Sequence, residues 1–95
     1  MTTISPSEME SLKAQIGNAI ARSISSNEIV TLKINGETGD ALEAVRCVTS
    51  RPTGYSVSDY EGEDRMEIWG FEDARDTRDT IWRLSITHYF RRNEY

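Results

Sequence analysis

The sequence predicts a single small α+β domain over residues 1–95, with the element order α-β-α-β-β-β and a mainly antiparallel sheet that carries both helices on one face. Two patterns lead to this prediction. Apolar residues recur at steps of four near the start of the chain, which is the helical period, and at steps of two in four later segments, which is the strand period. A length of 95 residues fits one domain.

The first predicted helix begins with a capping signal. Ser5 precedes a proline at the first helical position, and Glu8 stands where a capping box requires an acid. Apolar residues then follow at steps of four: Leu12, Ile16, Ile20 and Ile24. We predict a helix over residues 6–23 that ends in the polar run 25–27.

A strand and a second helix are predicted next. Residues 28–34 alternate, with Val30, Leu32 and Ile34 on one face, which is typical of a strand. Asp40 and the Ala-Leu-Glu-Ala run that follows it favour a short helix over residues 41–48 with Asp40 as its N-cap. A strand is the alternative, because residues 45–49 also suit a sheet.

The rest of the chain is predicted to form a three-stranded meander. Residues 55–59, 65–71 and 82–87 alternate between apolar and polar side chains, with a turn at 61–64 and a polar stretch at 72–79. A helix over residues 73–90 is the alternative, because Ala74, Thr77, Ile81 and Leu84 also fall at helical spacing. The apolar residues match period two more closely, which favours the strand.

This arrangement predicts both a core and an uncovered sheet face. The predicted core is Leu12, Ile16, Ile20, Val30, Leu32, Val57, Met66, Ile68, Leu84 and Ile86. The predicted open face collects Tyr60, Trp69, Phe71 and Tyr89 among Thr31, Lys33, Arg83 and Thr87. A contiguous aromatic face is costly to leave in water, so it invites a partner or a second copy of the chain.

The negative charge is local. The chain carries 16 acids and 11 bases, and residues 59–79 hold nine of the acids with three arginines. That segment therefore has a net charge of −6, and the remaining residues sum to +1. Direct nucleic acid binding is not expected, because it depends on clustered Lys and Arg, and this segment adjoins the aromatic face on which bases would stack.

The residues that carry chemistry do not form a recognisable constellation. Cys47 lies on an element predicted to pack inward, and His88 is the only histidine. One His and one Cys exclude a structural zinc site, and the acidic run at 59–64 departs from the glycine and glutamate positions of a calcium-binding EF-hand loop. We therefore predict neither an enzyme nor a metal or cofactor protein.

Location is predicted from what the sequence lacks. The first eight residues have neither a basic start nor an apolar stretch, so no secretory signal is expected. No apolar run approaches the length of a membrane span, so no membrane association is expected. A single cysteine suits a reducing compartment, and the predicted location is the cytoplasm.

These observations lead to a hypothesis of non-enzymatic protein binding. Carboxylates spaced along a turn and a strand can imitate phosphates and occupy a Lys/Arg groove, with two aromatic residues as apolar anchors. The predicted contact residues are Asp59, Glu61, Glu63, Asp64, Glu67, Trp69, Phe71, Glu72, Asp73, Asp76 and Asp79.

The partner would be a protein with a basic surface. A small acidic chain without motifs is typical of phage and mobile-element inhibitors of host defence, including those directed against CRISPR effectors. The alternatives are a structural or regulatory homodimer built on the aromatic face, and an immunity protein or antitoxin.

Overall fold

The computed structural model describes residues 4–60, 63–73, 75 and 79–89. The side chains of residues 35, 59, 60, 63, 64, 88 and 89 are outside this description. The element order is the predicted one: α1 (Pro6–Ser26), β1 (Ile29–Asn35), α2 (Thr38–Val48), β2 (Thr53–Tyr60), β3 (Glu63–Phe71) and β4 (Thr80–Tyr89).

Helix α1 starts as predicted and ends three residues later. The Ser5 hydroxyl accepts a hydrogen bond from the Glu8 backbone N–H, and the Glu8 carboxylate accepts one from the Ser5 N–H, which completes the capping box. At the other end Asn27 takes the left-handed conformation, with φ 56°, and its N–H donates to the Ser23 carbonyl oxygen. This left-handed residue, rather than the preceding serines, terminates the helix.

The second helix is confirmed over the strand alternative, but its predicted N-cap is wrong. Helix α2 begins at Thr38, and Glu37 occupies the N-cap position. Asp40 lies inside the first turn, where its side chain is buried and accepts a hydrogen bond from the Glu37 backbone N–H at 2.8 Å. The Asp40 carboxylate, at the third helical position, thus accepts the backbone N–H of the N-cap residue and stabilises the start of the helix.

The sheet is mixed, with the strand order β1-β4-β3-β2. Strand β1 runs parallel to β4, and the β4–β3 and β3–β2 pairs are antiparallel. The helical alternative for residues 73–90 is wrong, because β4 is a central strand bonded on both sides and its even-numbered residues Trp82, Leu84 and Ile86 are buried.

One core lies between the helices and the face of the sheet that carries these even-numbered β4 residues. Helix α1 packs across β1 and β4, and α2 packs on α1. Seven predicted core residues are buried: Leu12, Ile16, Val30, Met66, Ile68, Leu84 and Ile86. Ile20 and Leu32 are partly buried against the core, whereas Val57 is 45% exposed.

The prediction for Val57 is wrong because of its strand. Val57 lies opposite Met66 and therefore on the core face, but β2 is the edge strand farthest from β1. Because α1 covers the β1–β4 half of the sheet, Val57 keeps almost half of its surface in water.

Candidate functional site

The acidic segment is divided between the two ends of strand β3. Tyr60, the last residue of β2, pairs with Glu63, the first residue of β3, and Asp59 pairs with Asp64. Four more acids, Glu72, Asp73, Asp76 and Asp79, follow the end of β3 at Phe71 and precede β4, whereas Glu67 lies within β3. Seven steps along β3 lead from Asp64 to Phe71 and one more reaches Glu72, so the separation is at most about 27 Å at roughly 3.4 Å per residue. The segment is therefore two acidic clusters, not one continuous surface.

The two clusters differ in charge. Residues 59–64, which we call the hairpin cluster, contain four acids and no base. Residues 72–79, which we call the loop cluster, contain four acids and two arginines. Arg65 and Glu67 lie between the two clusters, and their opposite charges cancel. The hairpin cluster therefore carries −4 and the loop cluster −2.

Two acidic side chains of the loop cluster form ion pairs with arginines. An oxygen of the Glu72 carboxylate lies 2.7 Å from the Arg51 guanidinium, and this hydrogen bond raises the pKa of Arg51. The Asp73 carboxylate lies 3.8 Å from the Arg75 guanidinium and also accepts the Arg75 backbone N–H at 2.8 Å. Asp79 is exposed. Of the predicted contacts in this cluster, Asp76 lies outside the described residues.

The hairpin cluster is defined by its backbone. Strand pairing places Asp59, Glu63 and Asp64 at the end of β2 and the start of β3, and their side chains are outside the description. Glu61 lies outside the described residues altogether. The structure therefore locates this cluster at one end of the sheet by strand register alone.

Trp69 and Phe71 do not form a pair of exposed anchors. Trp69 is half-buried and lies over the neighbouring strand, where a Cβ added to Gly54 would be 2.5 Å from its Nε1 atom. Phe71 is buried, which contradicts its predicted place on the open face. A β-bulge between Gly70 and Phe71 pairs Phe71 with Thr80, which turns the ring towards the face that carries Trp82.

The open face of the sheet is polar where the structure describes it. Strand register arranges its central residues in three rows: Ser58-Arg65-Thr87-Lys33, Ser56-Glu67-Ser85-Thr31 and Gly54-Trp69-Arg83-Ile29. These rows hold three cations and one carboxylate, that of the exposed Glu67. The aromatic face predicted from the sequence is thus reduced to Trp69 among the described side chains. Those of Tyr60 and Tyr89 are outside the description.

The structure describes only one of the two reactive side chains that the sequence analysis singled out. Cys47 is exposed on α2, which contradicts the inward packing predicted for it. The His88 side chain lies outside the description. Among the described residues no group of three His, Cys, Asp or Glu side chains is arranged to hold a metal ion.

A groove of about 660 Å³ runs between the end of α1 and the edge of β1. It is lined by residues 21, 22, 25 and 26 of α1 and by residues 28–31. Its ionisable side chains are Arg22 and Glu28, and its hydroxyls belong to two serines and a threonine. None of the residues that line the groove is a histidine or a cysteine. A serine or threonine nucleophile in the groove would therefore lack a histidine base among these residues.

Sequence reasoning missed the exposed apolar residues of β2. Tyr55 is 53% exposed and Val57 is 45% exposed, and both lie on the helix-bearing face of the edge strand. These residues belong to the alternating run Tyr55-Ser56-Val57-Ser58, which is the same pattern as that of a strand with one face buried against the core. No local signal distinguishes the two situations, because the exposure follows from the position of β2 in the sheet.

In the described part of the chain, neither helix is long and apolar enough to cross a membrane. Comparison with protein-family models, with curated proteins and with solved structures finds no match to this chain.

Proposed function

We propose that this chain is a non-enzymatic protein-binding protein that inhibits a nucleic-acid-binding complex of host defence, such as a CRISPR effector, in the cytoplasm of the host cell. The observation that supports this function is the placement of acidic clusters at both ends of β3. A strand is a stiff spacer, so the backbones of Asp64 and Glu72, one acid from each cluster, keep a separation of at most about 27 Å. The partner presents a basic surface.

The separation restricts the shape of that basic surface. About 27 Å equals the rise of roughly eight nucleotides along one strand of duplex DNA, at 3.4 Å per phosphate. A channel that binds a nucleic acid backbone over that length meets both clusters, whereas a compact basic pocket meets one. The proposed partner is therefore one with an extended nucleic-acid channel.

The charges set the manner of binding. Exposed carboxylates such as Glu67 and Asp79 speed encounter with a cationic surface, and salt screens this attraction. An apolar anchor is still required for tight binding. Trp69 is the candidate for this role, because it is half-buried and lies on the open face between the two clusters, whereas Phe71 is buried.

A binding role agrees with the lining of the α1–β1 groove, which holds one carboxylate, that of Glu28, and neither histidine nor cysteine. Acid–base or nucleophilic catalysis requires at least two such groups within hydrogen-bond reach of each other. We therefore propose no reaction for the chain.

The experiment is a competition assay with the heparin-binding fraction of a bacterial lysate, which is enriched in basic nucleic-acid-binding proteins. The immobilised chain is expected to retain a protein that excess duplex DNA releases at constant salt. Asp59→Lys/Glu61→Lys tests the hairpin cluster, and Asp76→Lys/Asp79→Lys tests the loop cluster. Each pair is expected to weaken retention at least tenfold, because it replaces attraction with repulsion at one end of the channel.

Glu10→Lys/Glu28→Lys is the matched control, since it changes the net charge equally at exposed positions outside the acidic segment. It is expected to retain the protein. Equal losses in all three variants would mean that only net charge matters. Retention that DNA does not reverse would contradict the proposed competition for a nucleic-acid channel.

A further inference from the structure

Strand β2 forms one edge of the sheet. It is the last strand of the sheet, so the backbone groups along its outer side have no partner strand within the described fold. Tyr55 and Val57 expose about half of their surfaces on the helix-bearing face of this strand. An edge strand with exposed apolar residues is a template for pairing with another strand.

Two common protections of an edge strand, lysine and proline, are absent from the sequence of β2. Thr53–Tyr60 contains neither lysine nor proline, and Asp59 is its only charged residue. The other edge strand, β1, carries Lys33 and is flanked by the polar groove along α1. Lysine and proline on an edge discourage pairing between molecules, so β2 is the more receptive edge.

We propose that β2 pairs antiparallel with β2 of a second copy of the chain, around a two-fold axis that is perpendicular to the sheet and lies midway between the two copies of Ser56, level with this residue. Directly opposed residues of an antiparallel pair project to the same face. Because side chains alternate between the two faces along a strand, the axis must lie level with a residue, and it cannot lie level with the bond between two successive residues. Of the possible axes, the one level with Ser56 and the one level with Val57 give the longest overlap of the two strands.

The side chains select Ser56. With the axis at this residue, Tyr55 faces Val57 of the second copy, and Val57 faces the second Tyr55. Two aromatic–β-branched cross-strand pairs result, which are favourable. Asp59 faces the neutral Thr53, so no like charges meet. An axis level with Val57 would instead place Tyr55 of each copy opposite Asp59 of the other copy.

The size of this interface predicts a weak dimer. A buried aromatic side chain contributes roughly 150–250 Å², so the exposed parts of Tyr55 and Val57 in both copies amount to about 300–400 Å². Backbone pairing adds to this, but the total stays below the roughly 1,200–2,000 Å² of a stable interface. Each copy carries a net charge of −5, so repulsion opposes association and salt relieves it.

The first test is sedimentation velocity of the purified chain over a concentration series at low and high salt. We expect a dimer that grows with concentration and with salt. Val57→Lys is expected to weaken dimerisation at least tenfold, while Ile29→Lys, a matched change at a 51% exposed residue on the other edge strand, leaves it unchanged. A monomer at every concentration, or equal dimerisation of Val57→Lys and the parent, would overturn the proposal.

The second test addresses the register in a Cys47→Ser background. Ser56→Cys places two cysteines opposite each other across the axis, with Cα atoms about 4.5–5.5 Å apart, a separation that a disulfide spans. Ser58→Cys faces Gly54 of the second copy and cannot reach its own counterpart. A mild oxidant is expected to cross-link the first variant and not the second, and the reverse result would refute the register. Neither test uses the host partner, so failure here leaves the proposed function intact.

Discussion

Ser23 joins the end of α1 to the sheet through one buried hydroxyl, and replacing it by alanine tests that connection. The residue is 2% exposed. Its hydroxyl donates a hydrogen bond to the carbonyl oxygen of Glu28 at 2.7 Å and accepts one from the backbone N–H of Arg83 at 2.8 Å. The contact thus links α1, the turn before β1 and strand β4. Ser23→Ala removes both hydrogen bonds.

The expected cost follows from these two bonds. Each intramolecular hydrogen bond contributes a net stability of about 1 kcal/mol. Alanine is a better helix former than serine and returns about 0.5 kcal/mol. We therefore expect Ser23→Ala to lower the free energy of unfolding by about 1.5 kcal/mol, which corresponds to a decrease in Tm of roughly 6–12 °C for a domain of this size.

The assay is equilibrium unfolding in urea followed by tryptophan fluorescence, since Trp82 is buried and Trp69 is half-buried. Ser25→Ala is the control, because Ser25 is exposed in the same helix. The midpoint should decrease for Ser23→Ala, with the m-value unchanged, and should stay or increase slightly for Ser25→Ala. Equal midpoints for the two variants would refute the proposed connection.

Two further substitutions test the close contacts of the fold. Gly70→Ala should destabilise by at least about 2 kcal/mol in urea unfolding, because the added Cβ collides with the buried indole of Trp82, whereas Gly17→Ala should stabilise by roughly 0.5–1 kcal/mol because open space surrounds it in α1. A tolerated Gly70→Ala would contradict the packing. Asp40→Ala should cost about 1–3 kcal/mol by removing the buried acceptor of the Glu37 N–H, and fraying of α2 measured by hydrogen exchange should accompany the loss.

The candidate binding surface could be predicted only in part. The sequence located the acids along the chain, since charge is a property of composition. Their division into clusters at opposite ends of β3 depends on strand register, which joins residues distant in sequence. The pairing of Trp69 with Gly54 and the exposure of Tyr55 and Val57 are likewise results of the assembled sheet.

Local signals in the sequence account for the kind and order of the elements. The capping box at Ser5 and the four-residue apolar steps specify α1, and two-residue alternation specifies β4, because both signals act between residues close in the chain. The parallel pairing of β1 with β4, the edge position of β2 and the bulge beside the buried Phe71 are instead properties of the assembled fold. These outcomes depend on which surfaces meet when the layers assemble, and local periodicity carries no record of that choice.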